Sequence, residues 1–162
     1  MEIALLTPII IGIGIIVSFM VVVMQIRSQN KQIKQTVNNQ YDETLRKSMS
    51  DLYEVYRTDF EVKTKAECEL FATRILDILA VLAHLNNEEK LPDPILEFVK
   101  FDLEIAKGIM KWFDKEGLGK KYNPSSSAKI WSNLTIYFKK HKVKICKDAA
   151  LPDCIRNYND LK

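Results

Sequence analysis

The sequence predicts an all-α protein in which one N-terminal transmembrane helix continues into a stalk and then into an antiparallel bundle of three to four helices. Three observations predict this fold class. Residues 3–26 carry no charge, apolar residues recur every three or four positions from Ile33 onward, and the chain contains only five glycines and five prolines. A spacing of three to four residues is the period of a helix. Scarce turn residues argue against a β-sandwich or barrel.

The first segment, residues 1–26, is predicted to be a membrane anchor. It contains 24 consecutive uncharged residues, 3–26. About 20 such residues span the hydrocarbon core, because a helix bonds all of its backbone polar groups internally. A cleaved signal peptide is the alternative, but it would have a basic start and a shorter apolar run. Glu2 precedes the run here, so we expect an anchor that is retained.

The charges that flank the anchor predict its orientation. Arg27, Lys31 and Lys34 follow the apolar run, and the first acidic residue after the run is Asp42. Positively charged flanks stay in the cytoplasm. We therefore expect a single-pass protein of the cell membrane, with its N terminus outside and its helical domain in the cytoplasm.

The spacing of apolar residues divides the rest of the chain into three segments. Residues 27–60 are predicted to form a juxtamembrane stalk helix, residues 61–142 the helical bundle, and residues 143–162 a basic, largely irregular tail. The apolar stripe of the stalk is either a short coiled-coil seam or the stripe of a solvated neck. We favour the neck, because two heptads are too few for a stable coiled coil.

Cap residues and apolar stripes predict the helices of the bundle, over about residues 65–86, 94–115 and 124–141. Asp93 before Pro94, and Asn123 before Pro124, are typical of helix starts. Gly117 is typical of a helix end. The residues predicted to face inward are Phe98, Val99, Ala106, Ile109, Met110 and Phe113 on one helix, and Ile130, Trp131, Leu134, Tyr137, Phe138 and His141 on the next.

Few residues are candidates for metal binding or catalysis. The three cysteines and two histidines include no pair at the spacing of two to four residues that zinc sites use, so we expect no metal and no cofactor. His141 and Cys146 are the candidates for a small redox or hydrolytic enzyme, but no third, orienting group accompanies them. An odd cysteine count favours a reducing compartment; a disulfide between Cys146 and Cys154 is the alternative if the tail lies outside the cell. We therefore expect no enzymatic activity.

Charged residues provide two candidate sites. Arg74 and Asp102 are predicted to form a buried ion pair between helices, because a buried charge is costly unless it is paired; a polar ligand site is the alternative. Basic residues near the anchor and in residues 139–147 are predicted to face anionic lipid. They are Arg27, Lys31, Lys34, Lys139, Lys140, Lys142, Lys144 and Lys147. The net charge of +3 is too small to indicate nucleic acid as a partner.

The order of these segments resembles that of a group of known proteins. An anchor followed by the helix TRILDILAVLAHL, the turn NNEEKLPDP and the helix ILEFVKFDLEIAKGIMKWF resembles prokaryotic single-pass membrane-anchored helical proteins of unknown function. This resemblance implies a helical cytoplasmic domain and no particular site residue.

Together these features predict a non-enzymatic, membrane-tethered helical module that binds or scaffolds a protein partner at the cytoplasmic face. The lipid bilayer and a second copy of the chain are further candidate partners. The alternative is an accessory subunit of a larger membrane protein complex, with the anchor helix as its interface.

Overall fold

The computed structural model describes residues 3–58, 61–119, 127–147 and 150–162, with side chains from Ser18 onward. All regular secondary structure in these ranges is helical, which confirms the all-α fold class. The helices are α1 (Ile3–Arg57), α2 (Lys65–Asn87), α3 (Asp93–Lys115), α4 (Ser127–Ile130), α5 (Ser132–Lys140) and α6 (Asp153–Arg156), followed by a 3₁₀ turn (Tyr158–Asp160). The chain divides into two compact units, Met1–Asp42 and Glu43–Lys162.

The first unit contains the N-terminal part of α1. Apolar side chains of this part are exposed, among them Ile33, with 60% of its surface accessible, and Val37. No helix formed by the described residues is both long enough and apolar enough to span a bilayer. Residues 1 and 2 of the predicted anchor, and the side chains of its residues 3–17, lie outside the described part of the chain.

The second unit is built around α2, which packs against α3, α5, α6 and the 3₁₀ turn. A helix that is apolar on most of its faces is stable in such a central position. The fully buried side chains come mainly from α2 and α3; the largest are Phe113, Ile75, Leu76, Leu79, Leu82, Leu103, Ile109, Leu134 and Val99. The C-terminal part of α1 belongs to this unit, since Ser48 and Leu52 are buried. The boundary between units therefore lies earlier than the predicted end of the stalk at residue 60.

Local hydrogen bonds define the starts and ends of α2 and α3. Glu67 N donates to Thr64 Oγ1 at 3.2 Å and Thr64 N donates to Glu67 Oε2 at 3.0 Å, a capping box at the start of α2. The predicted N-cap at Asp93 is wrong by one position, because Pro92 occupies the cap and Asp93 is already helical. Gly117 follows the end of α3 with a φ of +70°, a left-handed conformation that glycine adopts without strain.

The helix predicted over residues 124–141 is divided at Trp131 into α4 and α5. The indole is buried, its Nε1 donates to Asp77 Oδ1 at 2.8 Å, and its ring meets Phe113 edge to face at 5.2 Å. These contacts keep Trp131 out of helical geometry, with φ −106° and ψ 60°. At the start of α4, Ser127 Oγ donates to Asp114 Oδ2 at 2.7 Å. The predicted start at Asn123 and Pro124 lies outside the described residues.

The C-terminal segment packs onto the core of the second unit. Most of its described residues outside α6 and the 3₁₀ turn have no regular structure. Cys154, Ile155 and Tyr158 are nevertheless buried, and Lys65 N of α2 donates to the Lys162 carbonyl oxygen at 3.1 Å. The tail is therefore part of the folded unit, which its sequence did not indicate.

Candidate interaction sites

The predicted buried ion pair between Arg74 and Asp102 is wrong. Arg74 is exposed on α2, and none of the salt bridges recorded among the described residues includes either side chain. Asp102 is half-buried; desolvation raises the pKa of its carboxyl group, while a hydrogen bond with Tyr56 of α1 lowers it. Helical spacing placed Asp102 near the inside of the unit but could not show that it meets α1 instead of α2.

A buried carboxylate does occur at Glu69, on the inward face of α2. Tyr158 Oη donates to Glu69 Oε1 at 2.7 Å. Burial first, and then this hydrogen bond, raise the pKa of the Tyr158 phenol above its ordinary value. The pair joins the tail to α2 and keeps the phenol protonated. Glu69 continues the spacing of Ala72 and Leu76, a signal for burial that sequence reasoning missed.

His141 has its own set of neighbours at the end of α5. Its Nε2 lies 3.0 Å from Nδ2 of the buried Asn86, and its ring stacks on Tyr137 at 4.4 Å. Because the amide nitrogen is a donor, Nε2 accepts and the imidazole is neutral in this arrangement. Desolvation, followed by repulsion from Lys140, lowers the pKa of His141. The side chain is exposed on the surface and was wrongly predicted to face inward.

Cys146 packs against the middle of α3. A Cβ atom placed on Gly108 would lie 2.6 Å from Cys146 Sγ and 2.9 Å from Leu151 Cδ2. The thiol of Cys146 therefore faces Gly108 of α3, whereas the imidazole of His141 bonds with Asn86 of α2. The two candidate catalytic residues thus have different neighbours. None of the three cysteines forms a disulfide in this structure. No group of three or more potential metal ligands occurs among the residues that the structure describes.

The basic residues predicted to face lipid are all on the surface. Arg27, Lys31 and Lys34 are exposed in the first unit. Exposed lysines also occupy the end of α5 and the extended segment that follows it in the second unit; they are Lys139, Lys140, Lys142, Lys144 and Lys147. This segment is held to α3 because Lys107 Nζ donates to the Val143 carbonyl oxygen.

Two large aromatic side chains on α3 are exposed. Phe98 has 70% of its surface accessible and Phe101 has 58%. The predicted inward position of Phe98 is therefore wrong. Most other apolar residues of α3 are buried, including Val99, which directly follows Phe98. Phe98 and Phe101 are three residues apart and so lie on neighbouring positions of one helix face.

No family model, no curated protein and no solved structure matches the chain.

Proposed function

We propose that the chain is a non-enzymatic helical module that is tethered to the cell membrane and binds a protein partner at the cytoplasmic face. The partner-binding part of this proposal is supported by the exposed aromatic pair, Phe98 and Phe101. Aromatic residues supply much of the binding energy at protein interfaces because they bury a large apolar area with few rotatable bonds. Adjacent exposed apolar residues are more typical of an interaction site than scattered ones.

The tether is supported by the sequence of the first segment. Residues 3–26 contain no charge, and Arg27, Lys31 and Lys34 follow on the side expected to face the cytoplasm. The exposed lysines of residues 139–147 support a second contact with the membrane surface. Each such lysine contributes about 1 kcal/mol or less near an anionic leaflet.

The neighbours of the two candidate catalytic residues support a non-enzymatic role. Cys146 faces Gly108, while the nitrogen of His141 that would act as a base is engaged by Asn86. A catalytic pair of His141 and Cys146 would need this nitrogen within hydrogen-bonding reach of the thiol.

The partner surface is tested by purifying the full-length chain from its native membranes and identifying co-purifying proteins by mass spectrometry. The variant F98S/F101S removes the exposed aromatic pair. The matched control is Ile136→Ser, because Ile136 on α5 is also exposed, at 52%. We expect recovery of the partner to fall at least tenfold in the double variant and to stay unchanged in the control. Equal recovery in all three would contradict the proposal.

The second candidate function is an accessory subunit that assembles through its anchor helix. Gly14 and Ser18 support it, because small residues four positions apart let transmembrane helices approach closely. The variant G14L/S18L separates the two candidates in the same purification. Loss of the partner in G14L/S18L, with retention in F98S/F101S, would favour the subunit.

A further inference from the structure

We propose that the second unit binds an amphipathic anion, meaning a molecule with an acyl chain and an anionic head, in a cavity between α3 and the tail. This inference deepens the membrane part of the proposed function and depends on it for the supply of such molecules. A fatty acid carboxylate and the phosphate of an acidic phospholipid share this chemistry.

The cavity has an apolar floor. It measures about 490 Å³, within the range of about 300–1,000 Å³ that is typical of small-molecule sites. Its apolar lining comes from Gly108 and Trp112 of α3 and from Ile145, Leu151 and Ile155 of the tail. Trp112 and Ile155 are buried beneath it. An acyl chain that fills this space would remove its own apolar surface and that of the lining from water, which favours binding.

The close approach of the tail to α3 depends on Gly108. A Cβ atom at this position would come within 3.0 Å of both Cys146 and Leu151, closer than nonbonded carbon and sulfur atoms approach. Glycine therefore lets the tail lie directly on α3, and Leu151 of the tail forms part of the cavity wall.

Three cations line the same cavity. Lys111 and Lys115 are four residues apart on α3, so they lie on one helix face, and Arg156 comes from α6. The described residues that line the cavity include no carboxylate. Lys115 meets Glu116 only at 3.9 Å, and Arg156 pairs with Asp153 on the surface. Three like charges around one apolar space are complementary to an anionic head, and an arginine fork suits a carboxylate or phosphate.

The mouth of the cavity adjoins the basic segment of the surface. Ile145 lines the cavity and is itself exposed, and the neighbouring residue Lys144 is exposed as well. Lys144, one of the lysines proposed to meet anionic lipid, thus directly precedes a residue of the cavity wall.

The experiment uses the full-length chain in phosphatidylcholine nanodiscs and lipids that carry a photoreactive diazirine in the acyl chain. Separate arms contain labelled palmitic acid, labelled phosphatidylglycerol or labelled phosphatidylcholine, and mass spectrometry locates the label. The test variant is K111Q/R156Q. The matched control, K100Q/R57Q, also neutralises one lysine of α3 and one arginine of an exposed salt bridge, away from the cavity.

We expect an anionic probe to label residues 108–115 or 145–156 at least fivefold more than phosphatidylcholine does. K111Q/R156Q is expected to lower this labelling at least fivefold, and K100Q/R57Q to leave it unchanged. Labelling by palmitic acid alone identifies the free acid as the ligand, and labelling by phosphatidylglycerol alone identifies the phospholipid.

Equal labelling by the anionic and zwitterionic probes, no effect of K111Q/R156Q, or no label in these segments would overturn the inference. Label on residues 3–26 reports the tether separately. Cavity labelling by palmitic acid without anchor labelling would therefore uphold the cavity and refute the tether, and anchor labelling alone would do the reverse.

Discussion

The two units contain successive parts of the same helix, yet the side chains of these parts have opposite environments. In the first unit Ile33 is 60% exposed, whereas in the second unit Leu52, on the same helix α1, is 4% exposed. Both residues belong to one apolar series in the sequence. Apolar spacing therefore identifies residues that are available for burial, while burial itself requires a second packing element.

The spacing also explains why the series does not continue on one face. Ile33, Val37, Tyr41, Leu45 and Met49 follow one another at intervals of four residues. A helix has 3.6 residues per turn, so each such interval rotates the side chain by about 40°. Over four intervals the rotation is about 160°, so residues at this spacing do not stay on one helix face.

The largest predicted difference between the two units is in the loss of stability when Leu52 or Ile33 is truncated to alanine. Leu52→Ala should lower the free energy of unfolding by about 2–3 kcal/mol, because it leaves a cavity in a packed site. The matched control Ile33→Ala, on the same helix, should change it by less than about 0.5 kcal/mol. Urea unfolding of the full-length chain in detergent, followed by circular dichroism, measures both. Equal effects would show that the two regions do not differ in packing.

A smaller effect tests whether the tail belongs to the second unit. Tyr158→Phe removes the hydrogen bond to the buried Glu69 carboxylate and should cost about 1–3 kcal/mol. Tyr53→Phe is the control, because Tyr53 is 70% exposed on α1, and it should be neutral. The same urea titration applies. A neutral result for Tyr158→Phe would mean that the hydrogen bond from Tyr158 to Glu69 contributes nothing to the stability of the unit.

The smallest effect concerns pH. The pKa of His141 lies below its ordinary value of 6.5 in the folded protein, so the unfolded chain binds the proton more readily. The contribution of His141 to stability is complete above about pH 6.5 and decreases as the pH falls from there toward the lowered pKa. Urea midpoints at pH 8 and pH 5.5 should differ less in His141→Gln than in the wild type. An identical pH dependence of the two proteins would contradict the lowered pKa of His141.

The sequence predicted the helical class and the starts of α2 and α3 to within one residue, because these depend on local spacing and caps. It did not predict the Tyr158–Glu69 contact, which joins residues 89 positions apart. Local spacing does not show which distant residues meet. The predicted pair of Arg74 and Asp102 was wrong for this reason, since the partner of an inward residue depends on how the helices pack. The predicted inward position of Phe98 was wrong for a related reason, because no element among the described residues covers its side chain, which is 70% exposed.

The cavity beside Gly108 was also outside the reach of the sequence. Lys111 and Lys115 have the spacing of an ordinary solvated helix face, and Arg156 lies 41 residues further along the chain. Only the folded tail brings these cations around one apolar space. By contrast, the exposure of the lysines in residues 139–147 follows from composition alone, since lysine is rarely buried.

The tether is tested most directly by extracting native membranes that contain the full-length chain with alkaline carbonate, and by probing an N-terminal epitope tag in intact cells. A membrane-spanning anchor at residues 3–26 predicts that the chain stays in the pellet and that the tag is accessible from outside. Release of the intact chain into the carbonate supernatant would contradict the account.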